Sequence, residues 1–356
     1  MARGGATSLS PLWSASIIAL SYYVGARVGF ALTLAPVPVS TLWPPNALLL
    51  AGLLVTRRRT WPLVFALVFV AHLAVQFQSG VPAAMVLSWF ISNCSEALIG
   101  ATLLRRVDSG PLSFDTFRST ALFFVCAGFT APFLSSFLDA AFVVANRWGD
   151  ADYWTIWRTR FFSNMLATLT LVPVILTSVG RLSRLREASR RRVIEAAAGL
   201  SALIALCWIV FVRQEPGPGT APALLYAPLL FLVGAAVRFG PWGAATSFLT
   251  CALVAIWGAV LGQGPFVTSS ALANALSIQT FLIVAWIPIM SLAAVLRERA
   301  SADDKARRSE EQLAMAIEAA QLGRWEYDIT TDHLTWSEVT RRIYEVPLDA
   351  PVTRDT

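Results

Sequence analysis

Gln279-Thr280-Phe281-Leu282-Ile283-Val284-Ala285-Trp286-Ile287-Pro288-Ile289-Met290-Ser291-Leu292-Ala293-Ala294-Val295-Leu296 runs without a charge into Arg297-Glu298-Arg299. The apolar run reaches back to Asn274, which makes it long enough as a helix to cross a hydrocarbon core of about 30 Å. The charges that end it sit where a membrane–water boundary would be. The same pattern recurs upstream. Apolar spans are predicted near 12–34, 42–56, 60–77, 82–104, 119–145, 161–180, 193–212, 222–238, 241–261 and 274–296. The expected fold is therefore an all-α polytopic membrane helix bundle of eight to ten spans, with ten preferred. The second span is short and opens on Trp43-Pro44-Pro45-Asn46, which suits a tilted or partly re-entrant helix. Spans eight and nine are separated only by a turn at Arg238-Phe239-Gly240-Pro241.

Bulk composition agrees. Of 356 residues, 56% are apolar and 14% charged, against about a quarter charged in an ordinary soluble domain. Mean hydropathy is +0.61. One soluble core could not hide so much apolar surface, whereas lipid can. The thirteen tryptophans suit membrane interfaces. The net charge of +6 does not point to nucleic acid, because the arginines stand in short clusters between apolar runs. With ten spans and a cytoplasmic N-terminus, thirteen arginines fall in inner loops. These are Arg57–Arg59, Arg105, Arg106, Arg118, Arg181, Arg184, Arg186, Arg190–Arg192 and Arg238. Only Arg147, Arg158, Arg160 and Arg213 fall outside, beside Asp150, Asp152 and Glu215. Both termini are thus expected in the cytoplasm of a cell whose inner (plasma) membrane holds the chain. The first run is long enough to span, and no cleavage site follows it, so no signal peptide is read.

Cys94, Cys126, Cys207 and Cys251 lie in apolar stretches without CxxC spacing and read as small buried hydrophobes. His72 and His333 are the two histidines, and no metal-ligand cluster or catalytic constellation is legible. A faint repeat links spans 2–4 and 8–10: Pro45, Gly52, Arg57 and Trp61 parallel Pro228, Gly234, Arg238 and Trp242. Duplication and shared hairpin grammar both explain it. After Leu296 a polar helix is expected to about Ala320, with Leu313, Ile317 and Ala320 on one face. Gly323 to Ile329 then alternates, Thr330-Thr331-Asp332 turns, and His333 to Trp336 resumes as a second strand. Ser337 caps a short helix. A hairpin and one helix cannot bury a core, so the chain reads as the front of a longer protein.

Two stretches resemble known families. Leu42-Trp43-Pro44-Pro45-Asn46-Ala47, Trp61-Pro62, Asn93 with Glu96-Ala97-Leu98-Ile99-Gly100 to Arg106, Val172-Pro173, Val237-Arg238-Phe239-Gly240, Gly262 to Phe266, and Gln279 to Arg299 resemble MASE1, a membrane sensory domain of bacterial signalling proteins. The tail, Ile317 to Asp328 with Leu334-Thr335-Trp336-Ser337, looks like the start of a PAS domain, an incomplete α/β unit. The resemblance divides the chain into a 1–10 tail, an 11–298 sensory domain, a 299–320 linker helix and a 321–356 PAS start. It implies a homodimer and a sensor whose output domain is usually a histidine kinase acting through a response regulator. Less often that output is a cyclic-dinucleotide synthase or phosphodiesterase. Whether the parent is an enzyme is thus not legible in these residues, and no cofactor is named by them.

Polar residues at membrane depth are the functional candidates. Arg27, with Glu96 or Asp139, is expected to build a polar cavity in the bundle. Trp43, Pro44, Pro45 and Asn46 would close it, and Asn93 would lend a hydrogen-bonding group. Such pairs could equally hold helices together. An unidentified small-molecule or membrane-derived stimulus would shift the bundle. Arg297, Glu298, Arg299, Leu313 and Ile317 would relay the shift. A transporter or channel is the competing reading.

Overall fold

The computed structural model describes residues 10–33, 40–107, 110, 112–149, 151–179, 189–213, 222–268 and 270–353. The arginines at 181, 184 and 186, with Asp150 and Glu215, lie outside them. The chain forms two compact units, Met1–Arg297 and Glu298–Thr356.

The first unit is a helical bundle. α1 (Pro11–Ala31) starts at Ser10, whose hydroxyl accepts the Trp13 amide, and Pro11 needs no amide partner there. α2 (Pro44–Val55) is a short apolar helix, α3 spans Trp61–Gln78 and α4 spans Ala83–Val107. The C-terminal carbonyls of α2 lack partners within their own helix. Arg105 reaches across from α4 to donate to Leu53 O at 2.8 Å and Thr56 O at 2.6 Å. The Trp61 indole also donates to Leu53 O, at 3.1 Å.

α5 (Phe117–Phe123) and α6 (Ala131–Ala145) are joined by a π-helical turn, Phe124–Thr130. Pro132, just beyond it, has no amide to give, and its ring would crowd the carbonyl four residues back in a tight α-turn. The wider turn removes that conflict. α7 (Tyr153–Val179) begins earlier than the span expected at 161–180. Asp152 caps it, accepting the Trp154 and Thr155 amides. Hydrogen bonds from Thr155 hold the Asp152 carboxyl below its usual range. Arg158 and Arg160 therefore stand within a helix, not in a loop as expected.

α8 (Arg190–Phe211) is capped by Ser189. α9 (Ala227–Val260) is broken at Gly240, with φ 68° and ψ −155°, the backbone break that the Arg238–Pro241 motif predicts. Two residues earlier, Arg238 pairs with Glu195 of α8 at 2.5 Å. The junction compared with this one in the repeat differs, since it is a 3-10 turn at Arg58–Thr60. α10 is one helix, Ala271–Ala319. Seven helical segments among the described residues are long and apolar enough to cross a membrane, carried by α3, α4, the α5–α6 rod, α7, α8, α9 and α10. α2 packs against α1, α4 and α7, which places it inside the bundle.

In the second unit, β1 (Trp325–Asp328) pairs antiparallel with β2 (His333–Trp336), in register Trp325↔Trp336 to Asp328↔His333. α11 (Glu338–Ile343) follows, capped by Ser337. The Trp336 and Tyr344 rings lie 5.1 Å apart. Trp325 of β1 is 65% exposed.

Candidate functional site

The site begins where α2 begins. Pro44 and Pro45 occupy the first helical positions, so two of the four amides that a helix start leaves unpaired do not exist. That chemistry lets a helix start deep in the bundle. The residues leading into it, Ser40 to Trp43, are buried and non-helical. Other helices satisfy their backbone: Ser163 of α7 donates to Ser40 O at 2.7 Å, and Gln279 of α10 donates to Thr41 O at 2.9 Å.

One turn into α2, Asn46 donates to Glu96 of α4 at 2.9 Å. The same carboxylate oxygen, Oε2, accepts from Ser135 of α6 at 2.8 Å and Asn164 of α7 at 2.7 Å. Four helices thus converge on one buried carboxylate. Three of its neighbourhood's oxygens, Glu96 Oε1, Asn46 Oδ1 and Asn164 Oδ1, are buried and have no protein partner.

A second centre lies further along α6. Asp139 pairs with Arg160 of α7 at 3.3 Å, their side chains 5% and 11% exposed. Ser92 donates weakly to Asp139 at 3.4 Å, and the Arg160 guanidinium sits over the Trp89 ring at 5.1 Å. A third group ties α1, α3 and α4. His72 Nε2 faces Val86 O at 2.9 Å, so it carries the proton. Nδ1 then accepts from the Tyr22 hydroxyl at 2.9 Å, and that hydroxyl accepts from Asn93 at 2.9 Å.

Arg27 takes no part, which corrects the expected pairing with Glu96 or Asp139. The buried stripe of α1 runs through Ala15, Ala19, Tyr22, Ala26 and Gly29. Arg27 stands about 100° from Ala26 and is exposed. It lies one turn from the end of α1, where a long side chain can reach the interface. The cation in the cluster is Arg160 instead.

Beside the second and third groups lies a small, partly open cavity of about 30 Å³, lined by Phe30, Thr33, Ser40, Trp43, Trp89, Asn93 and Arg160. The structure therefore brings Asn46 to Glu96, and Trp43 and Asn93 to one cavity, while Asp139 reaches it through Arg160. The residues that sequence reasoning missed include Tyr22, Ser135, Ser92, Trp89 and Arg160. The helical setting of Arg160 was legible in principle, since Asp152, eight residues before it, is an N-cap residue type directly ahead of the Tyr153 run. Among the described residues, no group of three His, Cys, Asp or Glu side chains could hold a metal ion.

The MASE1 family matches residues 15–300, well over half of the chain and all of these residues. The chain belongs to the MASE1 family. MASE1 is a membrane sensory domain of signalling proteins, which places this multi-pass bundle in that role. No curated protein and no solved structure matches the chain. Of the relay residues, Arg297 pairs with Asp115 at 3.6 Å, Leu313 is exposed and Ile317 is half-buried.

Proposed function

We propose that this MASE1 chain is the sensory input module of a bacterial inner-membrane signalling protein. In this reading ten passes put both termini in the cytoplasm: the seven long helices, α1, α2, and α9 counted as two arms about Gly240. A stimulus bound in the Trp43–Asn93 cavity or at Glu96 repacks α2 against its neighbours. α10 carries the change through Arg297, Glu298, Arg299, Leu313 and Ile317 to a PAS-type start. From there it passes to an output domain, a histidine kinase in the first instance, in a homodimer.

The observation that supports this most is the Gln279 hydrogen bond. Gln279 is buried in α10 and holds the carbonyl of Thr41, five residues from Asn46 of the Glu96 centre. The helix that makes this contact continues unbroken to Ala319. Any stimulus that favours one packing around Glu96 thereby biases α10.

The test is a phase series in the full-length protein. One to seven alanines are inserted after Ala300, and output activity is followed as autophosphorylation or cyclic-dinucleotide turnover. Coupling through a helix predicts output that rises and falls with helical period and returns at seven. Output indifferent to every insertion would remove the relay. Gln279→Leu is expected to fix the output at one level whatever the stimulus.

A further inference from the structure

We propose that Glu96, Asn46, Ser135 and Asn164 form a binding site for a monovalent metal cation. This deepens the sensory reading, which takes Glu96 as one place a stimulus binds, yet binding itself stands or falls whether or not the bundle signals.

The argument begins with charge. Glu96 is 2% exposed and takes part in none of the ion pairs among the described residues. The cation nearest in kind, Arg160, is committed to Asp139. A carboxylate buried among helices without a counter-charge is costly. One positive charge removes that cost, whereas a divalent ion would leave a net positive charge in its place.

The oxygen inventory points the same way. Glu96 Oε1, Asn46 Oδ1 and Asn164 Oδ1 are buried acceptors without protein partners. A proton on Glu96 Oε1 lets that atom donate to one asparagine oxygen and leaves the other unpaired. A metal ion satisfies several at once, and hard monovalent ions prefer carboxylate, carbonyl and hydroxyl oxygens. The two asparagine amides now donate to Glu96 Oε2 at 2.9 and 2.7 Å. Half a turn of each amide exchanges nitrogen for oxygen in nearly the same place. With Ser135 Oγ, already 2.8 Å from Glu96, that gives five candidate ligand oxygens on four helices. Loading and unloading would therefore change hydrogen bonds that join α2, α4, α6 and α7.

The purified chain is titrated with LiCl, NaCl and KCl against choline chloride at matched ionic strength, with unfolding followed by tryptophan fluorescence. The expected result is a saturable rise in Tm with at least one metal chloride and none with choline. Glu96→Gln abolishes the rise, and Asn164→Ala raises the half-saturating concentration at least about tenfold. Where Glu96→Gln does not fold, Ser135→Ala, which keeps the carboxylate, must raise it severalfold. A choline curve equal to the metal curves overturns the proposal. So does a metal-induced rise that the variants leave unchanged, or a Tm that follows pH alone, which would make the occupant a proton.

Discussion

Replacing Arg160 by methionine isolates what the buried Asp139–Arg160 pair contributes. At 3.3 Å and an effective dielectric constant of about 20, the attraction is on the order of 5 kcal/mol. Stacking of the guanidinium over Trp89 at 5.1 Å adds about 0.5–2 kcal/mol. Against this stands the cost of taking both ions out of water, which is of similar size. The pair is therefore close to neutral as a unit, while either half alone is expensive. Arg160→Met leaves Asp139 without a counter-charge among the described residues, with weak contacts from Ser92 and Trp89, and is expected to destabilise the bundle by about 3–5 kcal/mol. Adding Asp139→Leu should recover most of that loss, bringing the double variant within about 1 kcal/mol of the parent. The measurement is equilibrium unfolding in mixed micelles for the two single variants, the double and the parent. Additive losses, or an Arg160→Met cost below about 1 kcal/mol, would refute the reasoning, because either means that the charges are not desolvated.

Gly258 packs against the backbone of α8: an added Cβ would overlap Phe211 O and lie 2.8 Å from Phe211 C. Gly258→Ala should thus lower stability by at least about 1–3 kcal/mol, while Gly234→Ala, with open space around it, should raise it by about 0.5–1 kcal/mol in the same unfolding assay. In the C-terminal hairpin, hydrogen bonds from Thr331 and from the Thr330 and Thr331 amides hold the Asp328 carboxyl below its usual range. Its support of the turn is then complete above the unfolded value of about 3.9 and is lost as pH falls through the lower folded one. The protection factor at Thr330, its exchange relative to the intrinsic rate at each pH, should stay flat from neutral pH down to about 4 and fall only below it; a change near neutrality would contradict this. Ser337→Ala removes the acceptor of the Thr340 amide and should cost α11 about 1 kcal/mol, read as faster exchange at Thr340.

The class of protein was plain from hydropathy because a bilayer demands long uncharged runs, and α8 and α10 show that signal at its strongest. Depth alone marks Asn46 and Glu96 as candidates, though for a cavity centred on Arg27 and not for a contact with each other. Direction was not legible. In a soluble helix the polar face marks the outside, but in lipid both faces of α1 are apolar, so nothing in the sequence says that Arg27 points out and Tyr22 in. Arg160 misled for the opposite reason. Even once the Asp152 cap sets a charge seven residues after Tyr153 in a helix, its inward direction is hidden until its partner Asp139 is placed, and that partner lies on another helix. The π-turn before Pro132 likewise leaves no periodic trace, since a single widened turn shifts a face without altering composition.

The brevity of α2 has a bearing on how the molecule is made. Twelve residues of helix cover about 18 Å, well short of the roughly 30 Å of hydrocarbon. The non-helical Ser40–Trp43 segment must make up much of the difference. Its carbonyls at Ser40 and Thr41 are held by Ser163 and Gln279, 123 and 238 residues further along the chain. Neither partner has been synthesised when this piece leaves the ribosome. Biogenesis must therefore park it in water or at the lipid surface, and seat it only after α10 arrives.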